Sequence, residues 1–190
     1  MKRCGWANSS ELEIEHHDKE WGVPVHNDRL LFEMLILEGA QSGLSWATIL
    51  SKRAGYLKAF DNFDAKKIAK YSAKKIEKLV TNSEIVRHKL KISAAVENAR
   101  RFLEVQKEFG SFDKYIWSFV QGKPKTNAWK KSSQVPTSTP ASEAMSKDLK
   151  KRGFKFVGPT TCYAYMQATG MVNDHLVSCF RYSEIKKKHK

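Results

Sequence analysis

Apolar side chains concentrate in one stretch, LLFEMLILEGAQSGLSW at residues 30–46, and recur at helical intervals along most of the remaining chain. In the first part of that stretch Leu31, Met34, Leu35 and Glu38 share one stripe, at the spacing of neighbours on a helix face. Apolar residues also occupy the other sides, which predicts a helix buried nearly all round. Two acids, Glu33 and Glu38, interrupt it. A buried carboxylate is costly unless a charge or a hydrogen bond meets it. Gly39 and Gly43 then loosen the chain, and Leu44 and Trp46 follow in a turn flanked by small residues. The stretch reads either as one wall of a pocket, or as a core helix whose Glu38 reaches solvent at a frayed end.

The pattern around it predicts a series of short helices. SSELEIEHHDKEW (9–21) opens with a serine cap and glutamates in the first turn, and GVP (22–24) ends it. Asn27 or Asp28 caps the central helix, and another helix begins near Ser45. Asp64 caps AKKIAKYS, and Ser72 starts SAKKIEKLVT. The longest helical pattern lies in NSEIVRHKLKISAAVENARRFLEVQKEF, whose start carries the basic cluster Arg87, His88, Lys89 and Lys91. SFDKYIWSFV is a short helix, and residues 121–140, polar and with three prolines, form a surface loop. Helices ended by Gly153 and Gly170 follow, then VNDHLVSCF as a last short helix and EIKKKHK as a solvated charge run. No alternating β pattern persists and no internal repeat is present, so the expected class is all-α. One domain over residues 1–185 and a basic tail at 186–190 are expected.

The 190 residues suffice for one substantial core. The net charge of +14, from 34 basic against 20 acidic side chains, favours a polyanionic partner, nucleic acid before membrane. No run approaches the ~18 apolar residues of a membrane span, and MKRCGW lacks the apolar segment of a secretory leader. Three cysteines, Cys4, Cys162 and Cys179, are too few for a disulfide scaffold and fit a reducing cytosol. Cys4 and His17 near one end of the chain, and His175 and Cys179 near the other, would make a tetrahedral Cys2His2 zinc set. On a helix His175 and Cys179 would point the same way. The alternative is two buried cysteines and ordinary histidines, with His16 a competing ligand. Asp18 and Asp174 adjoin the two histidines as possible acceptors for their outer ring nitrogens.

Several motifs then converge. RCGW at 3–6, HHDKEWGVP at 16–24, LFEMLILEGAQSGLSW at 31–46, KKRGFKFVGPTTCYAYMQATGMVNDH at 150–175 and the closing Cys179 together resemble the bacterial 3-methyladenine DNA glycosylase I (Tag) family. The resemblance spans residues 1–182. It implies the helix-hairpin-helix glycosylase fold in two helical lobes with the base pocket between them. It also implies a structural zinc on Cys4, His17, His175 and Cys179, since four protein ligands leave no open position. The hairpin falls within TNSEIVRHKLKI, which has no glycine although the superfamily hairpin is usually glycine-rich. Arg87, Lys89 and Lys91 could therefore serve DNA there electrostatically.

The implied chemistry suits these residues. A glycosylase flips the target base out of the duplex. Methylation at N3 makes adenine cationic and a good leaving group, and tryptophan faces attract a cation. Trp6, Trp21 and Trp46 match the family's aromatic pocket, and Glu38 its adenine-reading acid. A carboxylate accepts from adenine's exocyclic amine and repels guanine's O6. Leu44 is either the wedge that fills the vacated gap or a buried side chain. Glu13 and His16 stand where the family commonly has tyrosine, so a non-catalytic damaged-DNA binder or a shifted lesion preference, such as 3-methylguanine, are the competing expectations. The main expectation is a monofunctional, monomeric, cytosolic hydrolase acting on alkylated duplex DNA and releasing 3-methyladenine.

Overall fold

The structure, a computed structural model, describes residues 1–8 and 10–188. Its helices are α1 (Glu11–Lys19), α2 (Asp28–Gln41), α3 (Trp46–Ala59), α4 (Ala65–Ile68), α5 (Ala73–Val80), α6 (Lys89–Phe109), α7 (Phe112–Trp117), α8 (Pro140–Lys151), α9 (Pro159–Ala168) and α10 (Phe180–Lys188). Most start at a side chain that satisfies an otherwise orphaned amide. Ser10 accepts from Glu13 N, Asn27 from Leu30 N, Ser45 from Thr48 N, Ser72 from Lys75 N and His88 from Lys91 N. α6 ends at Gly110, whose φ of 85° is left-handed.

α2 is the hub. Residues 31–40 are buried without a break, and the helix packs against α3, α6, α7 and α9. Each fully buried Leu or Ile there contributes about 1.5–3 kcal/mol. α5 and α6 pack on each other across the connection 81–88. That connection is held close to α3: a Cβ on Gly55 would stand 2.3 Å from the Glu84 carbonyl oxygen. The other close approach is at Gly170 (φ +71°), where a Cβ would lie 2.3 Å from Val23 C. There the 22–25 segment runs along the end of α9, with Gly22 N bonded to Gln167 O and Val25 N to Thr169 O, both at 3.0 Å.

Three expectations change. The chain is not purely α: β1 (Lys125–Thr126) and β2 (Val172–Asn173) pair in parallel, Lys125 opposite Val172 and Thr126 opposite Asn173. The pair is too short to leave an alternating pattern. VNDHLVSCF is therefore not a helix; β2 and a turn occupy it, and helix resumes only at Phe180. The charged end is not a solvated run from Glu184 onward either, since α10 continues to Lys188 and Ile185 is fully buried. His189 and Lys190 lie outside the described residues. No described helix is long and apolar enough to cross a membrane.

Candidate base pocket and metal cluster

A cavity of about 260 Å³ opens where α1, α2, α3 and α9 meet. Trp6, Glu13, His16, Trp21, Glu38 and Trp46 line it, so the structure brings together all six sequence-selected pocket residues. Gln41, Ala164 and Gln167 complete the wall. Sequence reasoning passed over these three. Gln41 sits one helical turn beyond Glu38, and Gln167 is a lone amide in an apolar helix, so both had left a signal.

The two acids of α2 have opposite surroundings. Glu33 is paired twice, with Arg53 Nε at 2.7 Å and Arg29 Nη1 at 3.0 Å. Glu38 is equally buried, at 5% exposure, and among the described residues no side chain or amide bonds to its carboxylate. Burial alone pushes its pKa up to about 8. A buried acid left uncompensated in a cavity marks a candidate ligand site. The frayed-end alternative does not hold.

The aromatic walls stand at steep angles around it. Trp6 and Trp21 lie 5.2 Å apart at 70°, and His16 and Trp46 lie 5.3 Å apart at 54°. His16 Nδ1 faces Glu20 at 2.7 Å. Burial opposes ionisation of Glu20, but the His16 hydrogen bond and the Arg53 charge outweigh it and hold the carboxyl down to about 2. The ionised Glu20 fixes the proton on Nδ1, and the buried Nε2 has no partner among the described residues. Glu13 belongs to the α1 cap: its amide bonds Ser10 Oγ at 3.2 Å while its side chain reaches the cavity wall.

Behind Trp21 lies the Cys/His cluster. The ligand atoms of Cys4, His17, His175 and Cys179 are all buried and within 4.8 Å of one another. Cys179 Sγ is 3.5 Å from His17 Nε2 and 3.6 Å from His175 Nδ1, and Cys4 Sγ is 3.8 Å from His175 Nδ1. Ligands at ~2.3 Å (S) and ~2.0 Å (N) from one tetrahedral ion stand about 3.5 Å apart, so the donor set fits zinc. The outer ring nitrogens are anchored: His17 Nδ1 to Asp18 at 2.7 Å, and His175 Nε2 to the Trp21 carbonyl at 3.0 Å. Asp18 is itself held by Arg3 at 2.7 Å. Asp174 does not play the matching part. Its carboxylate accepts from Asn127, Trp129, Tyr163 and Gln167 instead. His175 and Cys179 converge through a turn, not along one helix face. Trp21 also packs edge-on against His175 at 4.7 Å, so the cluster braces the cavity wall. His16, next in sequence to His17, turns to the cavity and is no competing ligand.

The surface residues divide. Leu44 is 40% exposed on the turn between α2 and α3, which excludes the buried alternative. Arg87 and Lys89 are exposed at the start of α6. Lys91, expected with them to serve DNA electrostatically, is held differently: its ammonium donates to the carbonyls of Ala40 at 2.8 Å and Ser42 at 2.6 Å.

Aromatic walls, a buried acid with no partner among the described residues and a volume of about 260 Å³ suit the size and chemistry of a planar ring. The family model described as methyladenine glycosylase matches residues 6–182, and the chain belongs to that family. It is 49% identical to DNA-3-methyladenine glycosylase 1 of Escherichia coli (strain K12) over 182 residues, 96% of this chain and 97% of the relative. It is likewise 49% identical to the DNA-3-methyladenine glycosylase of Haemophilus influenzae, over 93% of this chain and 96% of the relative. Among solved structures, a variant of 3-methyladenine DNA glycosylase I in complex with 3-methyladenine superposes with a TM-score of 0.93 at 37% identity, covering 100% of both chains.

Proposed function

We propose that this chain is a base-excision-repair hydrolase that cleaves the N-glycosidic bond of 3-methyladenine in alkylated duplex DNA. The observation that carries the reading is the Glu38 carboxyl, buried and unpaired in the tryptophan-lined cavity. N3 methylation has already made the base cationic. The C1′–N9 bond breaks with its electron pair going to the base, which leaves neutral; water adds its oxygen to C1′ and loses a proton. The protein therefore recognises more than it activates. Trp6, Trp21 and Trp46 offer ring faces to the cation, worth up to about 2 kcal/mol for a desolvated contact. The approaching positive charge draws the Glu38 pKa down and restores the carboxylate, which accepts from the exocyclic amine. Guanine presents O6 there, an acceptor facing an acceptor, and is disfavoured.

Leu44 is the wedge that enters the vacated stack, and α5, the 81–88 connection and α6 are the hairpin, with Arg87 and Lys89 toward the phosphates. The domain spans residues 1–185 in two helical lobes, and the monomeric enzyme works in the cytosol. Zinc on Cys4, His17, His175 and Cys179 is structural, because four protein ligands fill its shell. The unpartnered Nε2 of His16 supports a second reading, a lesion range that differs from that of a tyrosine-bearing pocket. The test is single-turnover abasic-site formation in a duplex carrying 3-methyladenine. Glu38→Gln is expected to be severely slowed; a rate equal to the parent's would sink the assignment.

A further inference from the structure

The turn that carries Leu44 has little of its own to hold it still. Ser42, Gly43, Leu44 and Ser45 are all exposed, and a Cβ placed on Gly43 would meet nothing within 4 Å. Within the turn, Leu44 N bonds Gln41 O at 2.6 Å, and Ser45 caps α3 through Thr48 N at 3.2 Å. Ser45 Oγ also meets Thr48 Oγ1 of α3 at 2.8 Å. Among the described residues, the side-chain hydrogen bond that reaches the turn from an element not adjoining it comes from Lys91, far along the chain at the start of α6. Its ammonium bridges the Ala40 and Ser42 carbonyls, which lie at the C-terminal end of α2 where helix carbonyls lack partners and a cation is favoured. The same residue's backbone amide bonds the His88 cap of α6 at 3.3 Å. One side chain thus joins the end of the helix bearing Glu38, the turn bearing Leu44 and the helix start bearing Arg87 and Lys89.

We propose that Lys91 is a positioning residue for base flipping: through the Ala40 and Ser42 carbonyls it fixes the Leu44 turn relative to the amino end of α6. Wedge and basic hairpin then meet the duplex as one rigid unit, with Leu44 already at the place the base must leave. This rests on the glycosylase reading above. It also reassigns the residue's charge, which is spent on carbonyls and not on a phosphate. Burial of the ammonium, which lowers its pKa, agrees with this.

The test compares the parent with Lys91→Met, which keeps the apolar stem, and Lys91→Arg, which restores a donor. Single-turnover release of 3-methyladenine from a duplex is measured over a salt series, with free 3-methyladenine binding followed by tryptophan fluorescence and folding by thermal unfolding. Lys91→Met is expected to slow duplex release roughly 10- to 100-fold, the scale of a misplaced reacting geometry. Free-base affinity and the slope of duplex affinity against salt should stay as in the parent, and Lys91→Arg should recover most of the rate. In a Leu44→Ala background the Lys91→Met substitution should add little, because the two act as a unit. A salt slope shallower by about one would instead make Lys91 a phosphate contact and overturn the proposal. Full additivity with Leu44→Ala, an unchanged duplex rate, or joint loss of free-base binding and thermal stability would overturn it too. A parent protein that releases no 3-methyladenine would overturn the activity itself, and the proposal with it.

Discussion

Glu38 makes a stability prediction that does not depend on any activity assay. In the folded protein its carboxyl is pushed up to about 8 by burial, against an ordinary value of 4.5. A group whose folded pKa is raised contributes stability that is complete below its unfolded value and is lost as pH climbs through its folded value. The window for Glu38 therefore runs from 4.5 to about 8. That gap of about 3.5 pH units, at ~1.36 kcal/mol each, amounts to about 5 kcal/mol. A domain of this kind has only about 5–15 kcal/mol in total, so the effect is large. Glutamine has nearly the same shape and no charge to desolvate. The assay is urea unfolding of the parent and Glu38→Gln from about pH 5 to about pH 8.5, followed by tryptophan fluorescence. Titrations elsewhere cancel in the difference between the two curves. The variant should gain on the parent by about 1.4 kcal/mol per pH unit up to pH 8, then level off. A difference that stays flat across the range would refute the claim that Glu38 is buried and uncompensated. The same logic predicts that a cationic ligand is bound more tightly as pH rises toward 8, with about one proton released per ligand near pH 7.

Purified protein should contain about one zinc per chain by elemental analysis; a content well below that would end the zinc assignment, and chelation should lower the unfolding temperature because the ligands tie both chain ends together. Leu44→Ala should cut duplex excision roughly tenfold while leaving free 3-methyladenine binding intact, whereas loss of both would indicate a packing role. Arg87→Ala and Lys89→Ala should each make duplex binding less salt-dependent, reducing the slope by about one; an unchanged slope would place those side chains off the DNA. Gly55→Ala should destabilise the fold by roughly 2 kcal/mol in denaturant unfolding, since its new carbon must displace the Glu84 backbone 2.3 Å away.

The helical plan was legible because its signals are local. Ser10, Asn27, Ser45, Asp64 and Ser72 each cap the helix their position announced. The pocket was legible only in part: taken alone, residues 30–46 read either as a pocket wall or as a core helix, and Trp6, Glu13, His16 and Trp21 entered only through the resemblance to the glycosylase family. What escaped depends on contacts between distant segments. The β1–β2 pair joins Lys125 to Val172 and leaves no periodic trace in either. The helix expected at 172–180 failed because that register and the convergence of His175 with Cys179 outweigh local propensity. Lys91 looks like its neighbours Arg87 and Lys89 in sequence, and only the fold reveals that carbonyls from α2 and its turn reach it first. Asp18 and Asp174 likewise look alike beside their histidines, yet only Asp18 bonds one.

The central claim is tested most directly by incubating the protein with methylated genomic DNA and resolving the released free bases by chromatography. The account predicts 3-methyladenine in the soluble fraction with little 7-methylguanine, and loss of that release on Glu38→Gln. Absence of any released base, with binding to alkylated or abasic DNA retained, would contradict it and leave a damage-binding protein in place of an enzyme.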